Sequence, residues 1–477
     1  MNQTTKKQHA RTLRRIFTLT ALFALLFCVA GCSKKTPREA LDKAYEKTFA
    51  DSNPFESILG VSELNTKLSE NKAHSTGYSL TVRELSGKDL DEYAGYLTGL
   101  GISVDSASDL MNRKSTGTLD ITYGGTTYLT LGGQIQGSEI FLTCPQLLNS
   151  SLSVNLSTLK EDLNSDSALA ELFRNSGLTL PEDFSADLFE AITSAAAPED
   201  LNDLISAYEA LDEALIVEKL GKKEITLPSD VTAKTVYKVT VPKHAYVAFI
   251  NAVLEYANES SSSLSEAIGS AETDSETFNL LDAKLKVQEF ADAAGDIVIT
   301  VAVTKEGYIN YMVSTVTAGE DTATFTASLT GANAPLEECK IVMDATVDNE
   351  AYHFDFVQKF GTKLNDVSLF AEASKENTKL FSFDCAGTFD NIEKGQKYTL
   401  DLDYLDLEYG DTLSVSLTGD YYVDTTECNI AAPAASEYNL LRMSEEDFSA
   451  LFAEVLTNLS KDPLLSGLLG YFMGQTY

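Results

Sequence analysis

The chain has 477 residues, more than one ordinary domain requires, and 44% of them are hydrophobic and 22% charged. This composition is typical of folded protein and argues against long disordered, collagen-like or small disulfide-rich chains. The 71 Asp and Glu residues outnumber the 36 Lys and Arg residues, so the formal net charge is −35. Nucleic-acid affinity comes largely from cationic side chains that neutralise phosphates, so this charge excludes nucleic acid as an expected partner.

The first residues have the order of parts found in a secretory signal. A basic start is followed by an apolar run at 16–30, which is too short to span a bilayer comfortably. Val29, Ala30 and Gly31 then precede Cys32. This order resembles the lipobox of bacterial lipoproteins, a family in which the cysteine is alkylated with diacylglycerol and becomes the N-terminus. The resemblance implies a signal peptide at 1–31 and lipid on Cys32, to which an N-acyl chain such as palmitate can be added. A plain secretory signal and an uncleaved anchor are the alternatives.

The resemblance also implies attachment to the extracytoplasmic face of the bacterial cell membrane through a short tether at 32–36. Removal of 1–31 takes away five basic residues and no acids, which leaves 31 basic and 71 acidic residues and a net charge near −40. An anionic bilayer repels such a body over a screening length of about 8 Å at physiological salt. We therefore expect the acyl chains, and not the protein surface, to hold the chain at the membrane.

Local patterns in the first half predict a mixture of helices and strands. Thr36, Pro37 and Glu39 form a capping-box pattern and predict a helix start. The dipeptide Gly124-Gly125 between two strand-like runs predicts a hairpin. The predicted elements of this half are strands at 77–85, 116–123, 126–131, 138–143 and 236–241, and helices at 37–50, 88–100, 181–196, 198–220 and 242–257.

The polar, serine-rich stretch at 259–277 predicts a flexible linker or a long loop. It would separate a mixed α/β N-terminal domain at 37–258 from an antiparallel β-meander domain with a C-terminal helix at 278–477. Short connections in the second half indicate antiparallel neighbours, because a parallel crossover needs a dozen or more residues. The nine strand-like runs lie at 297–304, 308–316, 322–329, 339–347, 351–360, 367–373, 380–389, 398–409 and 412–423.

Side-chain alternation describes the sheets that these strands would form. Tyr352, Phe354 and Phe356 alternate with His353 and Asp355, which predicts one covered and one solvent-facing side. We therefore predict an α+β fold, in which large curved antiparallel β-sheets form a partial barrel packed with amphipathic helices.

A last helix is predicted after Ser444, a good N-cap followed by three acidic residues. Its apolar stripe continues beyond Pro463. The stripe predicts a plug across the open face of the sheet, and a movable lid over an apolar cavity is the alternative.

Four cysteines lie beyond the predicted anchor: Cys144, Cys339, Cys385 and Cys428. An extracytoplasmic location permits disulfides, and the spacing does not decide which of the four would pair. Reduced, buried thiols are the alternative that so small a number of cysteines favours.

Asp401, Asp403, Asp406 and Glu408 belong to the densest acidic cluster of the chain. Hard cations such as Ca²⁺ prefer several oxygen ligands, so these side chains are the candidate metal ligands. The cluster lacks the glycine of an EF-hand loop and alternates with leucines, which favours a solvent-facing strand with a slip of register near Tyr404. We therefore predict no bound metal.

A search for catalytic patterns indicates a protein that is not an enzyme. The sequence contains no HExxH, GxSxG, Walker or GxGxxG motif, and its two SxxK matches, at Ser69 and Ser157, are what chance predicts in a serine-rich chain. No cofactor is expected apart from the covalent lipid on Cys32.

The order of predicted elements carries a second resemblance. An N-terminal helix, a Gly-Gly hairpin, a strand that ends at Cys144-Pro145, a helical insertion and a long meander follow one another. This order is similar to the LolA/LppX-type fold of lipoproteins and lipoprotein carriers, and it implies a lipid or other hydrophobic ligand in the cavity of a curved sheet. The alternative is a structural or interaction lipoprotein that contacts an envelope protein and binds no small ligand.

Overall fold

The computed structural model describes residues 36–51, 53–70, 72–88, 91–175, 202–221, 227–268, 280–330, 336–361, 365–410, 412–433, 436 and 438–461. The predicted signal peptide, Cys32, the predicted helix at 181–196 and the apolar tail after 461 lie outside the described residues. Within the described part of the chain, no helix is long and apolar enough to cross a membrane.

The strands are His74–Ser86 (β1), Leu100–Asp109 (β2), Lys114–Tyr123 (β3), Thr126–Gln136 (β4), Glu139–Thr143 (β5), Leu152–Asn155 (β6), Ile216–Lys219 (β7), Thr235–Val241 (β8), Ile297–Val303 (β9), Ile309–Ala318 (β10), Asp321–Thr330 (β11), Glu338–Val347 (β12), Glu350–Phe360 (β13), Asp366–Lys375 (β14), Thr378–Glu393 (β15), Lys397–Tyr409 (β16), Leu413–Asp424 (β17) and Tyr438–Asn439 (β18). The α-helices are Pro37–Tyr45 (α1), Val61–Ser69 (α2), Asp91–Leu97 (α3), Leu159–Asp162 (α4), Ala168–Asn175 (α5), Asn202–Ala214 (α6), Lys243–Ile268 (α7), Leu280–Ala294 (α8) and Glu445–Leu459 (α9). These elements confirm the predicted α+β class with large antiparallel sheets.

The chain forms two compact units, and each unit combines two separate stretches of sequence. Unit 1 contains Met1–Ser57 and Pro198–Phe383, and unit 2 contains Ile58–Ala197 and Asp384–Tyr477. The boundary therefore falls within β15, so that strand belongs partly to each unit.

This division corrects the predicted boundary at 259–277 and the predicted domains on either side of it. Strands β8 and β9 lie on opposite sides of that stretch, yet they pair from Thr235↔Val303 to Val241↔Ile297. Helix α7 runs through the four serines and ends at Ile268. Serine lowers helix propensity only slightly relative to other polar residues, so a helix already fixed by packing in its first turns can continue through the run.

Unit 1 contains strands β7 to β14, and helices α1, α6, α7 and α8 pack on one side of its strands. The alternation predicted from sequence determines that side: Ile297, Ile299 and Val301 of β9 are buried in the common core. Tyr246 of α7 is fully buried, and its hydroxyl donates a hydrogen bond to the Gly295 carbonyl at 2.9 Å. Burying each such side chain stabilises the fold by about 1.5–3 kcal/mol.

The predicted capping box at the start of α1 is confirmed. The Thr36 hydroxyl accepts a hydrogen bond from the Glu39 N–H, and the Glu39 carboxylate accepts one from the Thr36 N–H at 3.1 Å. The Arg38 guanidinium contacts Asp42 at 2.9 Å and also pairs with Asp212 of α6. Burial raises the pKa of Asp42, although Arg38 opposes this shift. Helix α1 is thus attached to unit 1 a few residues after Cys32.

In unit 2, antiparallel ladders connect β16, β17, β1, β2, β3, β4, β5 and β6 in that order, and a short parallel pair adds β18 beside β6. The predicted Gly124-Gly125 hairpin is confirmed, and both glycines have positive φ, as a tight two-residue turn requires. Strand β1 pairs with β17, so Tyr78 lies opposite Tyr421.

Helix α9 differs from the predicted plug. The predicted N-cap at Ser444 is confirmed, and Asp447 completes a capping box there, but the helix has no buried residue, and Phe452 is 57% exposed. Its polar side chains bind the loop after β5: the Asn458 amide donates to the Leu147 carbonyl at 3.0 Å, and Glu454 accepts from the Asn149 N–H at 2.9 Å. In its described part, the helix lies against this loop and carries an exposed apolar stripe.

Candidate functional site

The strands of unit 2 have one apolar and one polar face, because directly paired residues project to the same side and successive residues to opposite sides. We define the apolar face by Tyr78, Leu80, Val82, Ile102, Val104, Leu119, Ile121, Leu129, Leu131, Leu142, Leu402, Leu405, Leu407, Val415, Leu417 and Tyr421. We define the polar face by Ser79, Thr81, Glu84, Ser86, Ser103, Asp120, Thr130, Asp401, Asp406, Glu408, Ser414, Ser416, Thr418 and Asp420.

The apolar face of unit 2 is accessible to solvent. Tyr78 is 42% exposed, Ile102 45% and Leu131 42%, and the neighbouring aliphatic side chains are half-buried. In unit 1, equivalent alternating positions such as Ile299 and Val301 are buried beneath helices. Contiguous exposed apolar side chains mark binding surfaces in soluble domains.

The polar face contains the acidic cluster singled out from sequence. The predicted register slip is confirmed, because a bulge lies between Leu402 and Leu405. The extra residue keeps Asp401, Asp406 and Glu408 on one side; without it, the leucines after Tyr404 would project there instead.

These acids form a solvent-facing strand side, as predicted: Asp401 and Asp403 are exposed, whereas Asp406 and Glu408 are half-buried. Across the described ranges, no three His, Cys, Asp or Glu side chains are grouped so that they could hold a metal ion.

A second bulge lies on the other neighbour of β17. In β1 the register shifts between Val82 and Glu84, so Arg83 is the extra residue. Both bulges face residues 416–419 of β17, one from each side. Bulges bend a strand and change the direction of its side chains. Here the two bulges bring Arg83 and Tyr404 close together beside β17.

A cleft of about 790 Å³ opens at this place. The Tyr404 hydroxyl donates to the Asp384 carboxylate at 3.2 Å, and the Arg83 guanidinium donates to the Asp403 carbonyl at 3.3 Å. Burial raises the pKa of Tyr404, and the charge of Asp384 adds to the shift. The cleft is lined by Arg83, Glu84, Leu85, Ser86, Thr98, Asp384, Tyr404, Asp406, Glu408, Ser414, Val415 and Ser416.

The cleft differs from the apolar cavity that the sequence predicts. Four of its lining side chains are carboxylates and one is a guanidinium, and only Leu85 and Val415 are aliphatic. One oxygen of Asp406 is shielded from solvent and has no hydrogen-bond partner among the described residues. Sequence reasoning selected Asp406 and Glu408 but missed Arg83, Glu84 and Asp384, which reach the cleft through strand pairing.

The cysteines are distributed between the two units. The thiols of Cys144, Cys339 and Cys428 are free, and Cys385 is buried. Cys339 lies in unit 1, and burial raises its pKa to about 11. Cys428 is half-buried, and its thiol contacts the Ser108 carbonyl at 3.5 Å. Cys144 and Cys339 are therefore free, buried thiols in the structure.

His353 lies on the solvent-facing side of β13, opposite Asp344 of β12, as the alternation predicts. Its Nδ1 is 2.8 Å from the Asp344 carboxylate, and its Nε2 is 3.7 Å from Asp355. Lys340 also contacts Asp355, at 3.4 Å. The hydrogen bond to Asp344 raises the pKa of His353, against a smaller opposing effect of burial.

We expect NMR titration to give a His353 pKa above the ordinary value of 6.5, and Asp344→Asn to move it back towards that value. Because the folded-state pKa of His353 is raised, the contact gives its full stabilisation of unit 1 when the pH is below the unfolded-state pKa. This stabilisation is lost as the pH rises through the folded-state pKa. The effect on stability is small, since the His353 side chain is 41% exposed.

Asp420→Asn in unit 2 is the control for a general change in charge. A His353 pKa at or below the ordinary value would contradict the pairing with Asp344.

Comparisons with known proteins do not identify the chain. No family model and no curated protein matches it. One matching solved structure is a double mutant of the vaccine antigen transferrin binding protein B from Haemophilus parasuis, with 8% identity, 74% of this chain and 75% of that chain covered, and a TM-score of 0.10. So low a TM-score does not indicate a shared fold, and the resemblance to lipoprotein carriers remains a prediction.

Proposed function

We propose that this chain is a non-catalytic lipoprotein, held at the extracytoplasmic face of a bacterial membrane by diacylglycerol on Cys32, that binds a hydrophobic ligand on the apolar face of unit 2. The lipobox resemblance at Val29, Ala30, Gly31 and Cys32 supports the attachment. The accessible aliphatic side chains of the apolar face support the binding activity.

One observation carries the ligand proposal: adjacent strands present aliphatic side chains at directly paired positions. Leu80 lies opposite Ile102, Ile102 opposite Ile121, and Ile121 opposite Leu129. Adjacent strands are about 4.8 Å apart, so four strands present a continuous row about 14 Å long across the sheet. Such a row suits an acyl chain, because burial of methylene groups is non-directional and needs only matching apolar area.

A binding titration on the purified mature chain tests the proposal. After removal of co-purified lipid with organic solvent and refolding, a fluorescent long-chain fatty acid should bind saturably. Ile102→Gln and Leu131→Gln should each weaken binding about tenfold, which corresponds to about 1.4 kcal/mol, a modest fraction of one aliphatic side chain's transfer energy. Both side chains are more than 40% exposed, so the substitutions should leave folding intact.

Ser103→Gln is the matched control, since Ser103 neighbours Ile102 and projects to the polar face. It should bind the fatty acid like the unaltered chain. Absence of saturable binding, or an equal loss in Ser103→Gln, would overturn the ligand proposal. In that case the exposed face would be better explained as a contact for another envelope protein.

A further inference from the structure

We propose that the polar cleft of unit 2 is a second binding site, for a short oligosaccharide that carries protonated amino groups. The site lies on the face of the strands opposite the apolar face. It therefore does not depend on the hydrophobic ligand, and either site can be disabled without the other.

The cleft lies where two β-bulges flank the same strand. Bulges in β1 and β16 flank the same few residues of β17, and the residues they re-aim, Arg83 and Tyr404, both line the cleft. Bulges are over-represented next to active sites, where they point a side chain away from its regular position.

The donors and acceptors of the lining match a sugar with amino groups. Ligand-facing carboxylates accept hydrogen bonds from hydroxyl pairs, and they bind ammonium groups more strongly through charge-assisted hydrogen bonds. Glu84, Asp384, Asp406 and Glu408 supply such acceptors, and Arg83 supplies a donor. With four carboxylates and one guanidinium, the lining carries an excess of three negative charges, which favours a cationic over a neutral or acidic saccharide.

The cleft also has room for a ligand larger than a bare ion. Sites for small organic ligands have volumes of roughly 300–1,000 Å³, and the cleft, at about 790 Å³, lies within that range.

Isothermal titration with two matched disaccharides tests the proposal. The probes are the β-1,4-linked disaccharide of glucosamine and its fully N-acetylated counterpart, which have the same rings and differ in the charged amines. The amino form should bind saturably, and the N-acetylated form at least tenfold more weakly. Asp406→Asn and Glu408→Gln should each lower the affinity for the amino form at least fivefold.

Asp401→Asn is the control, because Asp401 lies on the same strand and face, loses the same charge, and does not line the cleft. It should retain most of the affinity. Absence of binding by the amino form, equal binding of both disaccharides, or an equal loss in Asp401→Asn would each overturn the proposal. Fatty-acid binding measured on the same preparation shows whether the failure concerns this site alone.

Discussion

Replacing Gly419 with alanine should severely destabilise unit 2. A Cβ atom at this position would lie 1.8 Å from the carbonyl oxygen of Ser79 and 2.8 Å from its carbonyl carbon. Both are backbone atoms of β1, so no side chain can rotate away to relieve the overlap. Leu80 lies opposite Gly419 in the ladder, and the strands could separate only by breaking their hydrogen bonds. We expect a loss of about 3 kcal/mol or more in the free energy of unfolding, measured by denaturant titration.

Gly133→Ala is the matched control within the same unit. Gly133 also lies in a strand, and an added Cβ would have no atom within 4 Å. We expect unchanged stability or a gain of about 0.5 kcal/mol, because alanine restricts the unfolded chain more than glycine does. If Gly419→Ala unfolded at the same denaturant concentration as Gly133→Ala, the pairing of β1 with β17 would be wrong.

The second large effect concerns the proposed membrane anchor at Cys32. Cys32→Ser should transfer the protein from the membrane fraction to the soluble extracytoplasmic fraction almost completely. Each buried methylene of an acyl chain contributes about 0.8 kcal/mol to membrane binding, and two chains together give stable attachment. Residues 32–477 include 71 acidic and 31 basic residues, so their surface offers no electrostatic replacement for the lost lipid. Cell fractionation with immunoblotting measures the distribution, and intact mass shows whether lipid is present.

Cys28→Ser is the control for this experiment, since Cys28 lies within the predicted signal peptide and is not the predicted lipidation residue. It should leave both the mass of the mature protein and its membrane attachment unchanged. A Cys32→Ser protein that stays in the membrane with its first 31 residues intact would favour the uncleaved-anchor alternative.

Several elements were predictable because short-range chemistry determines them. The capping boxes at Thr36 and Ser444 need only residues three apart in sequence, and the Gly124-Gly125 hairpin needs only a turn with positive φ. The nine strands of the second half follow from period-two alternation. The register slip near Tyr404 was predictable for the same reason, since a bulge interrupts that alternation locally.

Other features depend on contacts between residues far apart in sequence. Strand β2 was missed although Leu100, Ile102 and Val104 alternate with small or polar residues, a signal that could have found it. The serine-rich composition beyond residue 258 predicts a linker, whereas in the structure α7 continues through it to Ile268. Pairings such as Tyr78 with Tyr421 have no local signature, so the boundary of the units could not be placed from sequence.

By itself, the sequence determined the helices and strands with strong periodicity, the excess of acids and the common face of Asp401, Asp406 and Glu408, and it carries a pattern at Cys32 that resembles a lipobox. Only the tertiary structure decided which apolar strand faces are covered. The alternation in β1 resembles that in β9, yet helices bury the β9 side chains in unit 1, while Tyr78 in unit 2 remains exposed. Tertiary pairing likewise brought Arg83 of β1 and Asp384 of β15 beside the acids of β16. Alternation reports only that successive side chains point to opposite sides; what lies against each side depends on segments hundreds of residues away.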